Sequence, residues 1–204
     1  MEMLFDQPPR RSRSKSLPEA LIYEILDGKP IYRKGYRQVL NGTKTLEEIM
    51  PASTLQSAIL SILLRLIFQH YDDNDYFILT NEPGLHLSKR INLAGDILIF
   101  DKKILRPEDI NQHYAKVPAQ VHIEVDIEAD TEDMGDMEYV TKKTRRLLAF
   151  GTKRVIWIFT SVKSILLAEP DRPWQTLEWR GTVEIGNGAT FNLEEQLKKQ
   201  GIKI

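Results

Sequence analysis

Asp96 heads the apolar stretch Ile97-Leu98-Ile99-Phe100, and Glu124 lies inside the run Val121-His122-Ile123-Glu124-Val125-Asp126-Ile127. That run alternates apolar and polar residues with the period of a half-buried strand. An acid in mid-strand between Ile123 and Val125 needs a cation, a metal or a proton as its partner. Two carboxylates on neighbouring strands suit metal-assisted hydrolysis, because Mg2+ takes one or two of them and fills its other positions with water and phosphate oxygens. The same period places Asp126 beside Glu124 on one face. Like charges that close repel, and strands are poor in Asp. For Asp96 the plain alternative is a solvated acid at a strand end.

Such chemistry also needs a cation that stabilises developing phosphate charge or orients water. After the acidic loop Glu128-Ala129-Asp130-Thr131-Glu132-Asp133, the spacing predicts a helix over about 135–150, stopped by Gly151. At about 100° per residue, Met137, Val140, Thr144, Leu147, Leu148 and Gly151 share one face. Lys143 lies at the edge of that face, while Lys142 projects outward with Arg145 and Arg146. Lys143 is therefore the inward lysine, unless it snorkels and merely covers apolar surface with its stem. Tyr139, one turn earlier, can hydrogen-bond at the same place. The four histidines have no metal-like spacing, and His122 reads as a strand-face residue. No Gly-rich phosphate loop, G-x-S-x-G or H-E-x-x-H occurs, and the three tryptophans read as core or turn packing.

The elements that would position these residues follow from simpler signals. Asp27-Gly28 between apolar segments predicts a tight hairpin over Tyr23–Tyr32. Residues 51–71, opening on Pro51 with Ser53 or Thr54 as cap, predict a long helix with a broad apolar face. Strands are expected at 76–80, near 85–87, at 94–100 and at 119–127, with a helical turn at 108–112. The apolar run Val155–Phe159 predicts a strand covered on both faces, with 164–168 as its hairpin partner and a short helix from Asn192. This order fits an α/β (α+β) domain with a central mixed sheet flanked by helices.

The chain of 204 residues is 42% hydrophobic and carries a formal net charge of -1. No global electrostatic attraction to nucleic acid follows, so such binding would need a local basic surface. The absence of cysteine removes disulfides, thiolate catalysis and Cys-based zinc sites. No apolar run approaches the roughly 20 residues of a membrane span, and a cytoplasmic location is expected. Residues 1–18 read as a flexible basic arm preceding a single domain over 19–204. Its Arg10, Arg11, Arg13 and Lys15 are either solvated or in contact with phosphates.

Four stretches together resemble the Uma-two type family of restriction endonucleases, a DUF820-like group within the PD-(D/E)XK nuclease superfamily. They are Tyr23-Glu24-Ile25-Leu26-Asp27-Gly28-Lys29, Gly95-Asp96-Ile97-Leu98-Ile99, Pro118 through Val125, and Lys143 through Gly151 with Ile156-Trp157-Ile158. The resemblance implies a restriction-endonuclease-like core and a Mg2+ or Mn2+ site from Asp96 and Glu124, with the Val125 carbonyl as a further ligand. It implies Lys143 as the catalytic cation, Glu24 either completing the metal shell or pairing with Lys143, and Asp126 or Tyr139 as additional site residues. The implied activity is hydrolysis of DNA phosphodiesters, with a homodimer as one way to address two strands. The alternative is a catalytically inactive nuclease fold that binds nucleic acid or a protein. The sequence departs from the family pattern in several places, beginning with Asp126-Ile127-Glu128-Ala129-Asp130 where the family has Ser and then S-P-S-T-like residues. Asp126 stands where many members of the superfamily keep the lysine, Leu147 replaces the helix tyrosine, and Gly95 replaces a proline.

Overall fold

In this computed structural model, residues 18–203 are described. The basic arm and its Arg10, Arg11, Arg13 and Lys15 lie outside the described residues. The Asp27-Gly28 signal is realised: both residues take left-handed backbone, φ 54° and 80°, which matches the strand twist and closes a two-residue turn. The turn joins β1 (Ile22–Leu26) to β2 (Lys29–Tyr32). A short helix α1 (Tyr36–Leu40) leads to α2 (Thr54–His70), whose first turn is capped by the Ser53 hydroxyl accepting from the Gln56 N–H.

Next come β3 (Tyr76–Thr80), β4 (Gly84–Ser88), β5 (Ile91–Ala94), β6 (Ile97–Asp101) and β7 (Val121–Val125). They are followed by α3 (Asp136–Phe150), β8 (Arg154–Phe159), β9 (Ser164–Ala168), β10 (Gln175–Glu178), β11 (Thr182–Gly186), β12 (Ala189–Asn192) and α4 (Leu193–Lys199). The central sheet has the order β10-β9-β8-β7-β6-β3 and is mixed, as expected. Among the described strands β7 and β8 form the parallel pair. Parallel neighbours need a crossover, and α3 supplies it. A smaller antiparallel sheet has the order β2-β1-β5-β4.

The central sheet separates two apolar cores. Ile59, Ile62, Leu63 and Ile67 of α2 pack on Ile97, Ile99, Val121 and Ile123, with α4 and the β11–β12 hairpin closing that side. On the other side α3 and the small sheet bury Leu26, Leu93, Leu98, Phe100, Val140, Leu147 and Trp157. Each such Leu or Ile contributes about 1.5–3 kcal/mol by leaving water. β8 is apolar on both faces because both cores claim it. The Trp157 indole N–H donates to Thr144 Oγ1 at 2.9 Å, which pins α3 to the sheet one residue from Lys143.

Three expectations need correction. The stretch 94–100 is not one strand: it breaks at Gly95-Asp96, where the chain leaves β5 in the small sheet and enters β6 in the large one. The helical turn sits at Pro107–Asp109 rather than at 108–112. The inward face of α3 is rotated, so that Met137 is 62% exposed whereas Tyr139 and Lys143 are buried. Among the described residues no helix is long and apolar enough to cross a membrane.

At Gly28 an added Cβ would meet the Arg90 guanidinium at 2.7 Å on top of the left-handed backbone. Gly28→Ala is therefore expected to cost about 1–2 kcal/mol, seen as a Tm lower by several degrees in thermal denaturation.

Candidate active site

Glu24 on β1, Asp96 at the corner between the sheets, Glu124 on β7, and Tyr139 and Lys143 on α3 converge beneath the crossover helix. Lys143 is wholly buried. Its Nζ lies 2.5 Å from Glu24 Oε1 and 2.7 Å from Glu124 Oε1. The rings of Tyr23, Tyr139 and Trp157 surround the ammonium with centroids at 5.6, 5.7 and 5.5 Å. Burial alone would deprotonate such a lysine, but the adjacent Glu124 and Glu24 outweigh it and hold its pKa above the ordinary value. Lys143 is therefore an ammonium.

Glu24 is saturated. Its Oε1 accepts from the Ala94 N–H at 2.8 Å as well as from Lys143, and its Oε2 accepts from the Tyr139 hydroxyl at 2.7 Å. Both oxygens are thus engaged within the protein, and Glu24 serves as the counter-ion of Lys143. Glu124 Oε1 also faces His122 Nε2 at 2.5 Å. Burial and the nearby Lys143 hold the imidazole pKa well below its ordinary value, so the ring is neutral and its Nε2–H donates to Glu124. His122 Nδ1, which has no partner among the described residues, is then the bare lone pair, a smaller loss than an orphaned N–H.

Asp96 stands opposite Glu124, one step beyond the paired Ile97 and Ile123 of the antiparallel β6 and β7. Its Oδ2 accepts from the Val125 N–H at 2.7 Å. Burial, with the Glu124 carboxylate second, pushes its carboxyl up to about 8. Among the described residues no hydrogen bond uses Asp96 Oδ1 or Glu124 Oε2. Asp96 lines a cleft of about 280 Å³ together with Gln56, Glu82 and Glu128.

No group of three or more His, Asp or Glu side chains among the described residues is gathered closely enough to define a metal site alone. Two free carboxylate oxygens on adjacent strands do satisfy the smaller protein share that Mg2+ or Mn2+ takes. Three carboxyl groups also face a single ammonium and a neutral imidazole. That imbalance in a buried place fits a divalent cation.

Not every residue singled out from the sequence belongs here. β7 ends at Val125, and Asp126 turns away with φ 64°. Its two oxygens accept from the Thr160 N–H and hydroxyl at 2.7 and 2.6 Å, so it does not share the face of Glu124. The period-2 reading fails there because the strand has already ended. The Val125 carbonyl accepts from Gln56 Nε2 at 2.8 Å. Leu147 sits in the core, and the site phenol comes instead from Tyr139, one turn before the lysine. Gly95 carries the His122 ring so closely that a Cβ would lie 2.7 Å from it, which excludes a proline side chain at that position. Sequence reasoning gave His122 no role in the site, although its two-residue spacing from Glu124 was the available signal. Gln56, a buried amide on an apolar helix face, was a weaker one.

Lys143→Met leaves two buried carboxylates without their cation. It is expected to cost about 3–5 kcal/mol, a fall in Tm on the order of 10 °C by thermal denaturation. Asp96 gives a pH dependence. Between its ordinary 3.8 and about 8 the unfolded chain has lost the proton while the folded one keeps it, so stability falls as pH rises across that window. The Tm of wild type relative to Asp96→Asn should drop from pH 5 to pH 8 in metal-free buffer; a flat difference would contradict the assignment.

No protein-family model matches the chain, and no curated protein matches it. Among solved structures, one from Anabaena variabilis ATCC 29413, described as "a putative nuclease belonging to DUF820", matches with a TM-score of 0.63 at 16% sequence identity. The match covers 86% of this chain and 89% of that one. At this identity the likeness establishes a shared fold, a mixed α/β (α+β) architecture.

Proposed function

We propose that the chain is a divalent-metal-dependent nuclease that hydrolyses phosphodiester bonds in DNA. One observation carries this reading: Asp96 and Glu124, opposite one another on adjacent strands, each keep an oxygen free of hydrogen bonds, beside a buried ammonium that fixes Glu124. The fold shared with a DUF820 protein supports it. Asp96 Oδ1 and Glu124 Oε2 would hold Mg2+ or Mn2+, which when bound offsets phosphate charge and makes a coordinated water more acidic.

Hydrolysis joins the water oxygen to phosphorus, breaks one P–O ester bond, and delivers a water proton to the departing alkoxide. Lys143 stays protonated and wholly buried, so it takes no proton from water and acts through Glu124, whose orientation it sets. His122 holds the same oxygen from the other side. Tyr139 and the Ala94 amide keep Glu24 in place beneath the lysine.

Supercoiled plasmid incubated with Mg2+ or Mn2+ should be nicked or linearised by wild type. Glu124→Ala should be slower by about 10²-fold or more, the scale of a lost metal contact. Equal cleavage by both, or none with either metal, would sink the reading. The second outcome would favour a nuclease fold that only binds, a reading to which the occupied Glu124 Oε1 and the Gln56-held Val125 carbonyl lend support. Mn2+ should also raise the Tm of wild type but not of Glu124→Ala.

A further inference from the structure

The two larger sheets end on β2, β4, β10 and β3, and among the described residues three of these edges are guarded. The outer strand β2 carries Lys29 and Pro30, which resist pairing with another strand. β4 is covered by the segment at Ala115, whose N–H donates to the Gly84 carbonyl and whose own carbonyl accepts from the His86 N–H. β10 is mostly exposed and ends on the charged Glu178. The edge at β3 has none of these devices. Its sequence Tyr76-Phe77-Ile78-Leu79-Thr80 holds no charge, no proline and no glycine, and it pairs with β6 in a regular register without a bulge. An edge of that kind is a template for further pairing.

The register fixes which groups stand free. The Lys102 N–H donates to the Asp75 carbonyl, so Asp75, and with it Phe77 and Leu79, turn their backbone groups toward β6. Tyr76, Ile78 and Thr80 turn theirs outward. The Asp72 carbonyl takes the Tyr76 N–H. The N–H and carbonyl of Ile78, the Thr80 N–H and the Tyr76 carbonyl have no backbone partner among the described residues.

The flank of this edge is apolar as well. Tyr76 and Ile78 pack on the side of α2. That helix is 17 residues long in a chain that is 28% charged, yet it contains a single Lys, Arg, Asp or Glu, namely Arg65. Leu60 and Leu64 are half-buried and line the Asp96 cleft together with Thr80, and Phe68, one turn further along, is 61% exposed. Loss of charge with an aromatic ring left outside is the composition of an interface centre.

We infer that β3 is the docking surface for a second copy of this chain, the two β3 strands pairing antiparallel about a two-fold axis at Ile78. In that register each copy donates from Ile78 and Thr80 and accepts at Ile78 and Tyr76, which satisfies every free group named above. Antiparallel pairing also holds Asp72, Asp73 and Asp75, which precede β3, at opposite ends from their counterparts, whereas a parallel pair would set like charges side by side. The axis stands perpendicular to the sheet, so both α2 helices lie on one face of the joined sheet with their uncharged flanks turned toward each other. A single strand from another protein would satisfy the backbone and leave α2 bare; a second copy offers both. Because Leu60, Leu64 and Thr80 also line the Asp96 cleft, each copy would stand beside the mouth of the other's site.

Sedimentation of the full chain at micromolar concentration tests this, and wild type should be a dimer. Thr80→Pro removes an outward N–H that β6 does not use, and should weaken the dimer at least about tenfold in Kd with the far-UV circular dichroism unchanged. The chain has no cysteine, so Ile78→Cys supplies a lone thiol. On the axis its Cα would lie about 5.5 Å from that of its own copy, within disulfide range, and mild oxidation should cross-link it. Val162→Cys, as exposed but on the β8–β9 hairpin, should not cross-link under the same conditions. A monomeric wild type would overturn the inference. Ile78 and Thr80 amides protected from hydrogen exchange in that monomer would assign the edge to residues 1–17 of the same chain, and unprotected ones would leave it to solvent or another protein. A dimer indifferent to Thr80→Pro, or one in which Ile78→Cys fails to cross-link, would overturn it too.

Discussion

The Lys143 ammonium, held between Glu24 and Glu124, joins the three parts of the protein that must meet for a site to exist. Glu24 comes from the small sheet, Glu124 from the central sheet, and the lysine from the helix that crosses over between β7 and β8. Taking three charges out of water is expensive, and an apolar trio of the same volume would often be as stable or more so. The arrangement therefore makes little sense as a device for stability alone. It makes sense as a means of holding one carboxylate at a fixed place with one oxygen free. The three aromatic rings around the ammonium keep water from competing for it.

Asp96 belongs to the same logic from the opposite direction. The chain changes sheets at Gly95-Asp96, and a residue at such a corner has neither a strand neighbour on both sides nor free access to water. Its carboxyl is left half-satisfied by the Val125 amide and pushed toward neutrality by burial and by Glu124. Gly95 is small because the His122 ring lies against it, and His122 is there because it braces Glu124. A near-neutral chain thus concentrates acid where it is least comfortable, a pattern that a bound cation relieves.

The run HIEVDI shows where periodicity holds and where it stops. Alternation correctly puts Val121, Ile123 and Val125 against α2 and His122 and Glu124 on the side of α3. Carried one step further it puts Asp126 beside Glu124, and there it fails. The repulsion that would arise is avoided by backbone: Asp126 turns out of the strand and spends both oxygens on Thr160. A similar limit applies to α3. The helical wheel separated Lys143 from Lys142 correctly, yet it placed Met137 inward, because the orientation of a helix on a sheet depends on what the sheet offers and not on the helix alone.

By itself the sequence determined the elements and their order. The Asp-Gly turn, the Ser53 cap, the apolar run of β8 and the glycine after α3 are local signals, written within a few residues and read by short-range sterics and hydrogen bonding. It also singled out Glu124 as an acid in mid-strand that needs a partner, and Asp96 and Lys143 as candidates whose alternatives were a solvated strand end and a snorkelling side chain. Tertiary structure alone decided the pairing. Glu24 and Lys143 are 119 residues apart, and Gln56 and the Val125 carbonyl are 69 apart. Such partners are chosen by strand register, by the break between β5 and β6 and by the seat of α3, none of which is encoded in any single stretch. For that reason Glu24 became the lysine's counter-ion, Asp126 left the site, and His122 and Gln56 joined its surroundings.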